Sequence, residues 1–92
     1  MKLLNLLSVE FNFNRANINY KNKKYDKVLE DVSKIISRDP NYTHAYILRA
    51  NIYSEAGDKE KAVENYKFAK QYDIKYGKFA DSEIKILSKN KQ

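Results

Sequence analysis

Four letters, RANI, occur at Arg15–Ile18 and again at Arg49–Ile52, 34 residues later. Sliding residues 15–42 onto 49–76 at the same spacing also pairs Lys27 with Lys61, Glu30 with Glu64, Asp39 with Asp73 and Tyr42 with Tyr76. Eight identities in 28 aligned positions is well above what chance gives for average composition. A period of this length marks a two-helix unit, which cannot bury its apolar face alone and must stack on copies of itself. A chain of 92 residues holds two such units and a remainder.

The composition agrees with helices. Glycine (2) and proline (1) are scarce, and the β-branched residues show no alternation. With 42% hydrophobic and 33% charged residues the chain reads as one globular, soluble domain. It has no cysteine, so neither a disulfide framework nor a thiolate metal site is available. The opening MKLLNLLSVEF resembles a signal peptide only superficially, because Asn5 and Glu10 interrupt the apolar run and no small-residue cleavage site follows. No segment reaches the length of a membrane span, so the expectation is a cytoplasmic protein.

Punctuation divides the repeat. In EAGDKEKA, Gly57 stands where a helix end needs a left-handed residue, and Asp58 follows as N-cap of the next helix, with Glu60 in its first turn. In SRDPNYTHAY, Pro40 stands just past a helix that its ring cannot continue. Five helices are predicted, over 3–21, 25–38, 42–56, 59–72 and 77–89.

These residues resemble the tetratricopeptide repeat (TPR) family. In the second unit, Tyr46 stands at the family's bulky fourth position, Ala50 at the small eighth and Tyr53 at the eleventh; Gly57-Asp58 forms the turn, and Ala62, Tyr66 and Ala69 take the small, aromatic and small places of the second helix. The first unit fits at Ala16, Tyr25, Val28, Val32, Ile35 and Pro40. It departs at Asn12 and Asn19, where large apolar residues are usual, and at Lys23, which replaces the turn glycine. The resemblance implies an all-α solenoid: repeat one over 9–42, repeat two over 43–76 and a capping helix over 77–89, within a single domain of 1–92.

The two ends differ on a helical wheel of about 100° per residue. In the last helix Tyr76, Phe79, Ala80, Ile84, Ile86 and Leu87 share one broad arc, as a solvent-facing cap requires. In the first, Leu6, Val9, Phe13, Ala16 and Tyr20 form one apolar side, and Leu3, Leu4, Leu7, Phe11 and Ile18 form another nearly opposite. That second side stands where a preceding repeat would pack. Each such side chain is worth roughly 1.5–3 kcal/mol when buried. We therefore expect Leu4, Leu7, Phe11 and Ile18 to meet a second copy of the chain in a homodimer, or an upstream domain. The alternative is an N-terminus that folds back over them.

No catalytic set is legible. The lone histidine, His44, has no cysteine or glycine-rich phosphate loop beside it, and no His/Asp/Glu spacing makes a metal site. No cofactor and no enzymatic activity are expected. What the resemblance implies instead is a concave groove, lined by the first helix of each repeat, that receives a peptide or a partner's helix. In this chain that groove maps to Phe13, Asn17, Tyr20, His44, Ile47, Asn51, Lys78 and Ser82. Asn17 and Asn51 are equivalent places. Two readings of them stand: amides that donate to and accept from a peptide backbone, or amides that satisfy interhelical polar groups.

One TPR subgroup grips the C-terminal carboxylates of heat-shock chaperones with a Lys/Asn/Asn/Lys/Arg set. Here only Asn17 and Lys78 match, while Phe13, Leu48 and Ser82 replace the other three, so that reading is disfavoured. The expected function is a protein–protein interaction adaptor or scaffold. Nucleic-acid binding is the alternative, through a net charge of +6 and through Tyr20 and Tyr25 near Lys21, Lys23 and Lys24. The excess is spread, however: +3 in residues 1–46 and +3 in residues 47–92.

Overall fold

The computed structural model describes residues 3–73, 75 and 77–89, with side chains from Leu7 onward. The described residues form five helices and no strand: α1 Leu3–Lys21, α2 Tyr25–Arg38, α3 Thr43–Glu55, α4 Lys59–Tyr72 and α5 Gly77–Lys89. Four helices match the predicted bounds. α3 is shorter by one residue at each end, because Tyr42 and Ala56 are its N- and C-cap.

The two hairpin turns are copies of one another. Gly57 lies at φ +85°, and Lys23, 34 residues earlier, takes the same left-handed conformation at φ +60°. Around each, the same bonds close the helix end: the amides of Lys23 and Lys24 donate to the carbonyls of Tyr20 and Asn19, and those of Gly57 and Asp58 donate to Ser54 and Tyr53. This is the Schellman arrangement, and its backbone demand overrides the poor fit of a lysine. The following caps differ. Asp58 Oδ1 accepts from the Lys61 amide at 3.2 Å, whereas Lys24 offers α2 no side-chain cap.

The helices pack in chain order, α1 on α2, α2 on α3, α3 on α4 and α4 on α5, giving an α-solenoid of 45 × 29 × 17 Å. One core cluster joins Val9 and Ala16 of α1, Val28, Val32 and Ile35 of α2, and Ala45, Leu48 and Ile52 of α3. The second joins Ala50 of α3, Ala62 and Tyr66 of α4, and Ala80 and Leu87 of α5. The alanines in both clusters, Ala16, Ala45, Ala50, Ala62 and Ala80, are fully buried. α3 is apolar on two sides because it contributes to both clusters.

The repeated RANI turns out to include a hairpin tie. Arg15 of α1 grips the buried carboxylate of Asp31 on α2 through two bonds, Nε–Oδ2 3.1 Å and Nη2–Oδ1 2.6 Å. At the equivalent place Arg49 Nε donates to Asn65 Oδ1 at 2.7 Å, and Asn65 in turn donates to the Lys61 carbonyl at 2.8 Å. Arg15 also donates to buried Asn12 at 3.3 Å, which is how an amide is tolerated in a place the family fills with a large apolar side chain.

α5 departs from expectation. Ala80 and Leu87 are buried and Ile84 is partly so, but Phe79 and Ile86 remain 42% and 52% exposed. The predicted arc was too wide for its neighbours: α5 packs mainly on α4, and that contact covers only a narrow stripe. Tyr76, also assigned to that arc, lies outside the described residues.

Candidate functional site

Phe13, Asn17 and Tyr20 form a row along α1, and His44, Ile47 and Asn51 form a row along α3. The two rows meet at both ends. The Phe13 ring lies 5.7 Å from the exposed His44 ring and 5.3 Å, edge-on, from Tyr42. At the other end the Tyr20 hydroxyl donates to the Glu55 carboxylate, which also accepts from Tyr25. Between these contacts lie Asn17, Ile47 and Asn51, all partly buried.

The two asparagines have different surroundings. Asn51 Oδ1 accepts from the Tyr66 hydroxyl. The residue equivalent to Tyr66 in the first repeat is Val32, which has no hydroxyl to offer, and Asn17 makes no side-chain hydrogen bond among the described residues. The interhelical reading thus describes Asn51, while the Asn17 amide is available for other partners.

Among the described residues no hydrogen bond or ring contact links Lys78 or Ser82 to these rows. Both are exposed on the side of α5 turned away from its Ala80–Ile84–Leu87 stripe. One flank of α5 carries Phe79, Glu83 and Ile86. Phe79 sets its ring edge-on to Tyr66 at 5.9 Å, and Tyr66 is the residue bonded to Asn51. On the other flank Asp81 pairs with Lys70 of α4 at 2.7 Å. A spacing of 35 in place of 34 relates α5 to α3: Ala80 and Leu87 follow Ala45 and Ile52 at that distance, and Phe79, Ser82 and Ile86 follow His44, Ile47 and Asn51.

Electrostatically, the Tyr20–Glu55 end is the most perturbed part of the face. Hydrogen bonds from Tyr20 and then Tyr25 hold the Glu55 carboxyl below the ordinary carboxylate range. Burial, reinforced by Glu55, pushes the Tyr20 hydroxyl well above the ordinary tyrosine value. Burial, with the charges of Glu83 and Glu55, raises Tyr66 to about 12. Among the described residues no group of three or more His, Asp or Glu side chains converges as a metal site.

The second apolar side of α1 is open. Leu7, Phe11 and Ile18 are 56%, 62% and 60% exposed, with the Arg15 guanidinium 5.2 Å over the Phe11 ring. The Leu4 side chain, grouped with them, lies outside the described residues. The counterparts of Phe11 and Ile18 one repeat on, Ala45 and Ile52, are buried in the core cluster that includes α2. A cleft of about 420 Å³ between α1 and α2 borders this side, lined by Arg15, Asn19, Lys27, Glu30, Asp31 and Lys34, and shares no residue with the α1 and α3 rows.

Two comparisons bear on this architecture. The family model for the tetratricopeptide repeat matches residues 43–73, which is the α3–α4 hairpin and the residue that caps it. Over 79 residues the chain is 35% identical to DnaJ homolog subfamily C member 7 of Homo sapiens, an alignment that takes in 86% of this chain and 15% of that protein. The chain therefore spans a small part of its relative's length. None of its helices is long and apolar enough to cross a membrane, among the described residues. Repeats of this kind mediate protein–protein interactions and are not themselves enzymes. With its duplicated turns, hairpin ties and matching second repeat, the chain belongs to the tetratricopeptide repeat family.

Proposed function

We propose that this chain is an interaction module, a cytoplasmic adaptor that holds a peptide or helix of a partner protein along its concave face. The observation that carries the reading is the pair of rows on α1 and α3, joined at Phe13–His44 and Tyr20–Glu55 with partly buried Asn17, Ile47 and Asn51 between them. Such a strip offers apolar contact together with an amide for a peptide backbone. The test is selection of binding peptides from a random library, followed by nuclear magnetic resonance mapping. Shifts concentrated at Asn17, His44, Ile47 and Asn51 are the expected result. Shifts confined to the outward sides of α2 and α4 would reject it.

A second interaction is favoured by the exposure of Leu7, Phe11 and Ile18. We propose that this side of α1 self-associates. Three large apolar side chains on one helical face exceed what a monomer leaves wet without consequence. Sedimentation equilibrium should then show a concentration-dependent dimer that Leu7→Asp abolishes. A monomer at all concentrations would refute the proposal. The nucleic-acid alternative is less well supported, because the lysines are distributed along α2, α4 and α5 in place of one stripe.

A further inference from the structure

We infer that the concave face is built for a cationic amphipathic helix, a conclusion that rests on the groove reading and adds the chemistry of its occupant. The chain as a whole carries +6, yet the residues that line this face do not share that sign. Along α1 the row reads Glu10, Phe13, Asn17 and Tyr20; along α3 it reads His44, Ile47, Asn51 and Glu55; the flank of α5 supplies Phe79, Glu83 and Ile86. Three carboxylates and no lysine or arginine stand in these rows. Lys21 and Lys23 lie at the α1–α2 turn, where the Lys23 charge acts on Glu55, so the carboxylates without a neighbouring cation in these rows are Glu10 and Glu83. Arg15 and Arg49 are turned into the hairpins, committed to Asp31 and Asn65.

The apolar and acidic elements are adjacent. Phe79 and Ile86 are two helical turns apart on α5, on the order of 10 Å, and both are substantially exposed. Glu83 lies between them, close enough for its charge to act on Tyr66, as does that of Glu55. Carboxylates at Glu83 and Glu10 beside the exposed apolar pair Phe79 and Ile86 suit a helix whose apolar stripe is bordered by lysine or arginine. The carboxylates supply opposite charge, and the exposed Phe79 ring can attract a cation. A peptide gripped by its C-terminal carboxylate would meet charge of its own sign.

The experiment uses the full chain and three end-capped model helices of about 18 residues that share one leucine stripe, with polar faces of lysine, glutamine or glutamate. Calorimetric titration should give the lysine helix an affinity at least about tenfold above the glutamine helix, the gap shrinking with salt, and no binding of the glutamate helix. Glu10→Gln with Glu83→Gln should erase the lysine preference while the glutamine helix is unaffected. Phe79→Ala with Ile86→Ala should weaken both, with circular dichroism unchanged because the two side chains are exposed. Equal affinity for all three helices, or preference for glutamate, overturns this inference and leaves the groove reading standing. Absence of binding by every helix up to about 1 mM overturns both.

Discussion

The residue with the clearest mismatch to its place is Lys23. A left-handed backbone costs a side-chain-bearing residue about 1 kcal/mol and glycine almost nothing. Lys23→Gly should therefore stabilise the chain by about 1 kcal/mol, read as a higher denaturation midpoint. Gly57→Ala should destabilise it by a similar amount, and through backbone strain alone, since an added Cβ there would meet nothing within 4 Å. Titration makes a second prediction. Tyr66 ionises near 12 in the folded chain against 10.0 ordinarily, so its contribution is complete below pH 10 and is lost as the pH rises towards 12. Tyr20 is shifted in the same direction. Glu55 is shifted down from 4.5, so its contribution is complete above that value and is lost as the pH falls through its lowered one. Denaturation across pH should show both limbs, with Glu55→Gln flattening the acid one and tyrosine absorbance following the alkaline one.

At the scale of the element, the hairpin ties differ in chemistry and share geometry. Asp31 is buried and bound by Arg15, while its counterpart Asn65 does the same task without charge. Asp31→Asn should thus be tolerated, whereas Asp31→Ala should cost about 1–3 kcal/mol, measurable by chemical denaturation. Helix bounds, the Gly57 turn and the Asp58 cap were legible in the sequence because glycine, proline and short-range bonds are local causes, whereas the left-handed Lys23 carries no such mark. The sides presented by α5 were not. Its wheel shows an apolar arc, but which part of an arc is buried depends on the number of neighbouring helices, and a one-residue shift in spacing rotates a helix by about 100°. That shift puts Phe79 and Ile86 in register with His44 and Asn51, where a spacing of 34 would give Lys78 and Lys85. The Arg15–Asp31 tie was likewise hidden: its partners are 16 residues apart and only the fold brings them together.

For the whole molecule, stacking in one direction means that every helix rests on its chain neighbours and that the two ends are stabilised unequally. α3 touches both core clusters, whereas α5 contributes Ala80 and Leu87 to one. Quasi-one-dimensional stacks open from their ends. Amide exchange should accordingly be slowest at Leu48, Ala50 and Ile52 and fastest in α5, with α1–α2 retaining protection after α5 has lost it. Uniform exchange across all five helices would contradict this. Because Phe79, Glu83 and Ile86 ride on that last helix, the proposed binding face has its acidic flank on the segment expected to open first. An occupant that clasps it would act as a splint, slowing the fraying of α5 far more than that of the α1–α2 hairpin, and capture would leave its signature in the local rate at which this helix breathes.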